Sequence, residues 1–104
     1  MAQFDVCRNS NLESSRVTPY LLDVQSDLLE VLATRVVVPL VLETEMGKVA
    51  NTLNPQFEIE GVCVVMSTPE IAGVPRQVLG EKIISLQSRR GEIIAALDLL
   101  LTGI

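Results

Sequence analysis

The side chains with chemical capacity in this chain are few and scattered. Histidine is absent from its 104 residues, which removes Ser-His-Asp and Cys-His arrangements together with the usual imidazole acid or base. Glycines at 47, 61, 73, 80, 91 and 103 are dispersed, and none opens a G-x-G-x-x-G or G-x-x-x-x-G-K phosphate loop. Asp23 and Asp27 are spaced so that they could share a site and raise one pKa, but Gln25 and Ser26 between them favour turn and cap duty. Adjacent Arg89 and Arg90 could hold an anion, although solvation or pairing with local acids is the commoner fate of such a pair. Cys7 and Cys63 stand in no CxxC or zinc spacing, and two buried thiols are expected rather than a bridge. Neither a catalytic centre, nor a metal site, nor a cofactor is expected.

Composition narrows the class further. The formal charge is −5, with no Trp, one Tyr and two Phe, and the pI is near 4.6. Direct nucleic-acid binding relies on basic patches and stacking rings, so this balance argues against it and favours a basic partner segment. A chain of 104 residues corresponds to a single domain, 1–104, with one ordinary core and no need of a metal or disulfide. No charged start precedes a long apolar run, so neither a signal peptide nor a membrane span is expected, and the localisation reading is cytoplasmic.

The elements that must position these residues are short strands and one helix. Phe4 to Cys7 alternates, Tyr20 to Val24 is a short apolar run, and Arg35 to Leu42 is β-branched, with Pro39 marking an edge or a bulge. Phe57 to Ile59 and Val62 to Met66 flank Glu60-Gly61, a two-residue hairpin turn. Glu43 to Leu53 is too weakly periodic for more than a loop with some helical turn. A strand over Arg76 to Leu79 is expected to end in a turn at Gly80. Ser88 is placed to cap the last helix, with Glu92 near its positive end. In that helix 93, 97, 100 and 104 form one apolar stripe, but 94 and 101 form another, so one face packs inward and a second calls for a partner. Gly103 suits a left-handed stop, after which Ile104 folds back or projects outward. The fold class is mainly β with one helix: a small, strongly bent antiparallel sheet or partial barrel with the C-terminal helix laid against it.

Particular strings then add to these patterns. Asp23 to Asp27 (DVQSD), Arg35 to Leu40 (RVVVPL), Ser67 to Pro75 (STPEIAGVP) and Thr102-Gly103-Ile104 occur here in one order. Together, from Phe4 to Ile104, they resemble the CcdB family of plasmid-maintenance toxins. The resemblance implies an SH3-like barrel, a homodimer, and inhibition of DNA gyrase through its A subunit. It also implies a CcdA-like antitoxin whose disordered segment folds on the toxin.

Carried over position by position, the resemblance places the gyrase contacts at Leu28, Leu29, Asp98, Leu101, Thr102, Gly103 and Ile104. Asp98 stands where the best-known family pattern has an Asn, and Leu101 and Thr102 stand where it has two aromatic residues. A ring stacked on a guanidinium is worth about 0.5–2 kcal/mol, which Thr102 cannot supply. The antitoxin groove is expected to involve the N-terminal loop, with Asn9, Ser10 and Arg16. Two alternatives belong to other classes. One is a ribonuclease toxin of the same barrel, using Arg16, Arg35 or a nearby carboxylate; the other is a non-toxic relative, for which Asp98 and Thr102 are the motivating residues.

Overall fold

The computed structural model describes residues 2–103. Among the described residues seven strands form one antiparallel sheet: β1 (Asp5–Asn9), β2 (Tyr20–Asp23), β3 (Thr34–Leu42), β4 (Gln56–Ile59), β5 (Val62–Met66), β6 (Ala72–Pro75) and β7 (Leu79–Ser85), followed by helix α1 (Arg90–Thr102). The order across the sheet is β4-β5-β3-β2-β1-β7, with β6 also paired to β3. This is the bent, mainly β architecture with a terminal helix that the residue pattern anticipated. Among the described residues, no helix is long and apolar enough to cross a membrane.

The length of β3, nine residues, lets it serve three neighbours. One side takes β2, while the other takes β6 along Thr34 to Val37 and β5 along Leu40 to Leu42. Pro39 lies at the junction, and its carbonyl accepts from the Ser67 N–H at 2.9 Å. Because N and C=O of one strand residue face the same side, the missing Pro39 N–H points into the gap between β5 and β6, where no ladder bond is lost. Expected at an edge or a bulge, it sits instead mid-strand at this gap.

Alternation puts Val6, Tyr20, Leu22, Val38, Leu40, Phe57, Ile59, Val64 and Met66 on one concave face, joined by Phe4 and Leu86. Helix α1 closes that face with Ile93 and Ala96, its only fully buried residues, while Ile94 and Leu97 pack at the margin. Burial of a side chain such as Ile93 contributes about 1.5–3 kcal/mol. Leu101, on the second apolar face, is left 73% exposed.

Side chains curl the sheet. The β4–β5 turn has positive φ at both Glu60 (53°) and Gly61 (77°), as a two-residue hairpin with matching twist requires. Gly61 adopts this freely, but Glu60 must be held. Its carboxylate accepts from the Tyr20 hydroxyl at 2.6 Å and from Arg8 Nη2 at 2.9 Å, and Arg8 Nε also donates to Glu81 on β7 at 2.8 Å. The hairpin tip from one end of the sheet is thereby drawn over β1 and β2 toward the strand at the other end. Arg89 does related work at β4, where its guanidinium lies 4.7 Å from the Phe57 ring centroid and donates to the Gln56 carbonyl, occupying an edge group.

Four further expectations are corrected. Arg76–Val78 is a 3-10 turn, and the strands flanking it are β6 and β7. Gly80 lies within β7 rather than in a turn, and its lack of a side chain serves close packing, since an added Cβ there would come within 2.9 Å of the Arg8 carbonyl oxygen. Ser88 does not cap α1: it lies inside a 3-10 turn, Gln87–Arg89, and the N-cap position is Arg89, with no side-chain cap. Glu92 does sit in the first helical turn, bonded to the Arg89 guanidinium. Cys7 is buried as expected, but Cys63 is exposed on β5, and no disulfide joins them. The segment after β3 is a loop with one 3-10 turn, Glu43–Glu45, as the weak periodicity indicated.

Candidate functional site

Between β2 and β3 the chain makes a projecting turn, and the DVQSD string builds it. The buried Asp23 carboxylate accepts from the Gln25 N–H at 3.0 Å and from Arg35 Nε at 2.8 Å. Burial pushes the Asp23 carboxyl up, against the opposing pull of the Gln25 amide and then of Arg35. Val24 enters the core, and Gln25 spans the base of the turn, accepting from the Val36 N–H at 3.0 Å and donating to the Leu29 carbonyl at 2.9 Å. Ser26 caps the 3-10 helix Asp27–Leu29 through the Leu28 N–H, and Asp27 accepts from the Gln3 N–H at 2.8 Å. The turn reading holds for Asp23, whereas the Asp27 carboxylate ties the segment to the distant Gln3 and the cap is Ser26. At the far end Arg76 Nε donates to the Leu32 carbonyl at 2.7 Å.

What this scaffold presents is apolar. Leu28 is 91% exposed and Leu29 48%, and they are followed by Val31 at 88% and Leu32 at 44%. Leaving such side chains in water, on a turn tied at both ends, is unfavourable for the isolated molecule and suits a surface that becomes covered. Sequence reasoning placed Leu28 and Leu29 but passed over Val31 and Leu32. The available signal was the run Leu28 to Leu32, four apolar residues in five without strand alternation or helical length.

The second group of expected residues ends α1. Asp98, Leu101, Thr102 and Gly103 are all exposed. Gly103 has φ 76° and donates its N–H to the Leu99 carbonyl at 3.0 Å, the left-handed stop that the sequence anticipated. The Thr102 hydroxyl donates to the Asp98 carbonyl at 2.7 Å, so its donor is taken up within its own helix. Asp98 brings a negative charge near the helix end that disfavours one, by about 0.3–1 kcal/mol when it lies in the last turn. Ile104 lies outside the described residues.

The N-terminal residues are divided between two concavities. Asn9 lines a groove of about 300 Å³ floored by Leu21, Pro39, Val74 and Val78, whereas Arg16 lines another of about 340 Å³ with Leu12 and Glu13. The Ser10 hydroxyl is turned to the Val78 carbonyl at 2.6 Å. Arg35 and Asp23 are both fully buried, so Arg35 has no route to an RNA substrate. Both thiols are held protonated: burial first pushes Cys7 up to about 11, and the Glu43 carboxylate that accepts from Cys63 raises the latter. Among the described residues, no group of three or more metal-ligating side chains gathers.

A family model described as CcdB protein matches residues 3–103, nearly the whole chain. That span takes in the β2–β3 turn, the N-terminal loop and α1 through Gly103, so the match covers every surface described above. The chain belongs to the CcdB family.

Proposed function

We propose that this protein is the toxin of a type II toxin–antitoxin system that binds the DNA gyrase A subunit and traps the cleaved gyrase–DNA complex, with a CcdA-like antitoxin as its antidote. One observation carries the reading most of the way. The turn that the family resemblance assigns to gyrase is apolar, exposed and pinned from beneath by Asp23, Gln25 and Arg76.

The mechanism is occupation, with no bond chemistry by this chain. Leu28 and Leu29 enter an apolar cleft on the A subunit, and Asp98 and Leu101 add an acceptor and a further apolar contact from the end of α1. A homodimer is carried over from the family resemblance, since Ile94 of the second apolar stripe packs against the core and leaves only Leu101 exposed. A two-fold dimer presents two identical docking sets to the two-fold pair of A subunits. If the fit is better to the separated, DNA-cleaved state, the difference in affinity holds that state and religation slows. The acidic chain touches no DNA. Antitoxin binding is assigned to the groove at Asn9 and the concavity at Arg16, where a disordered segment with basic flanks meets the net charge of −5.

The test is expression in gyrase-sensitive cells, beside a form lacking residues 102–104. Growth arrest with accumulation of cleaved chromosomal DNA, weakened by the truncation, is expected. Toxicity unchanged by the truncation counts against a role for the helix end. Absence of toxicity with antitoxin binding retained favours the non-toxic relative.

A further inference from the structure

The projecting turn carries more than the pair of residues that the family resemblance assigns to it. Val31 is as open as Leu28, at 88% against 91%, and Leu32 stands beside it at 44%. Neither packs in the hydrophobic cluster of the fold. Both belong to the same continuous turn as Leu29, one residue beyond it, since the Leu32 N–H donates to the Leu29 carbonyl at 3.1 Å. The same Leu29 carbonyl accepts from Gln25 Nε2 at 2.9 Å, and the Leu32 carbonyl accepts from Arg76 Nε at 2.7 Å. The two pairs of apolar side chains are therefore displayed from one fixed backbone, and covering them requires little further ordering.

We propose that the surface this protein offers to the gyrase A subunit extends from Leu28 and Leu29 to Val31 and Leu32, as one four-residue apolar knob seated in a single cleft. The proposal rests on the gyrase reading above and enlarges its contact. The shape argues for a cleft on a different protein. A knob on a tight turn, its tip made by Leu28 and Val31 and its flanks by the half-exposed Leu29 and Leu32, cannot insert into an identical knob, whereas two-fold self-association needs a broad self-complementary face. Glu30, exposed in the middle of the knob, and Asp27 at its base put negative charge at the contact, which calls for basic side chains at the mouth of that cleft.

The test measures the affinity of full-length protein for the breakage–reunion fragment of the A subunit by calorimetry. It compares the native protein with Val31→Asp, Leu28→Asp and Val49→Asp, the last an exposed apolar residue in the loop after β3. None of the three side chains is buried, so each variant should fold, which circular dichroism and sedimentation check. Val31→Asp is expected to bind about tenfold or more weakly, as Leu28→Asp does, with Val49→Asp unchanged. Native-like binding by Val31→Asp alongside loss in Leu28→Asp overturns the extension and leaves the gyrase reading standing. Native-like binding by both overturns the reading as well. A monomeric Val31→Asp, or an equal loss in Val49→Asp, also overturns the extension, assigning the effect to self-association or to added charge alone.

Discussion

Removing the Asp23 carboxylate tests how the buried pair supports the docking turn. Arg35 Nε and Nη2 both lie 2.8 Å from Asp23 Oδ2, and both side chains are fully buried. In Asp23→Ala the guanidinium stays in the interior without its counter-charge, and Arg35 Nη1 has no hydrogen-bond partner even in the native fold. Breaking a buried pair from one side costs about 3–5 kcal/mol. Against a total of about 5–15 kcal/mol this is a severe loss, and each kcal/mol lowers Tm by roughly 4–8 °C in a domain of this size. Replacing both partners, as Asp23→Leu with Arg35→Met, removes the stranded charge and should recover most of that stability. It does not restore the acceptor for the Gln25 N–H at the base of the turn, so the double variant should be stable yet weaker toward gyrase. The assay is urea denaturation of native, single and double variants, followed by titration with the A-subunit fragment. A single variant losing less than about 1 kcal/mol, or a double variant no more stable than the single, refutes the reasoning.

Other consequences are read more simply. Thr102→Trp gives up one exposed intrahelical bond and gains a ring able to stack on a basic group, so it should inhibit supercoiling at least as well as the native protein; a weaker variant contradicts that account. Gly80→Ala forces a Cβ to within 2.9 Å of the Arg8 carbonyl oxygen and should cost about 1–3 kcal/mol in denaturation, and a neutral result would mean that β7 shifts freely. For the Tyr20–Glu60 contact the pH dependence has two limbs. The Tyr20 hydroxyl and then Arg8 hold the Glu60 carboxyl below its usual range, so that contribution is complete above about 4.5 and is lost as pH falls through the lowered folded value. Burial and then Glu60 push the Tyr20 hydroxyl up from 10 to about 12, so the folded state resists ionisation and stability falls as pH rises across that interval. Tm measured against pH should show the alkaline loss in the native protein and not in Tyr20→Phe; identical alkaline limbs contradict the assignment.

Much of the fold was legible because its signals are local. Glu60-Gly61 between two β runs specifies a hairpin by turn chemistry alone, and Gly103 specifies a helix stop by its φ. Strand β7 was not legible. Its pairing with β1 shifts register between Val6 and Cys7 and again before Asn9, and those irregularities break the two-residue period that identifies a strand. Pro39 misled for a related reason: whether a proline costs a ladder bond depends on which neighbour faces it, and that is a property of the topology. At the docking site, Leu28 and Leu29 were found through an ordered set of strings. The tertiary anchors, Gln25 across to Val36 and Arg76 to Leu32, join residues 11 and 44 positions apart and leave no periodic trace.

The central claim is that this chain acts on gyrase by occupying it. The most direct measurement titrates purified protein into gyrase and supercoiled plasmid while scoring linear DNA, with single-stranded RNA present in the same tubes. Cleaved DNA that rises until toxin and A subunits are matched in number and then stays level, with the RNA intact, is the predicted result. Degraded RNA, or plasmid left uncut at every ratio, would contradict it.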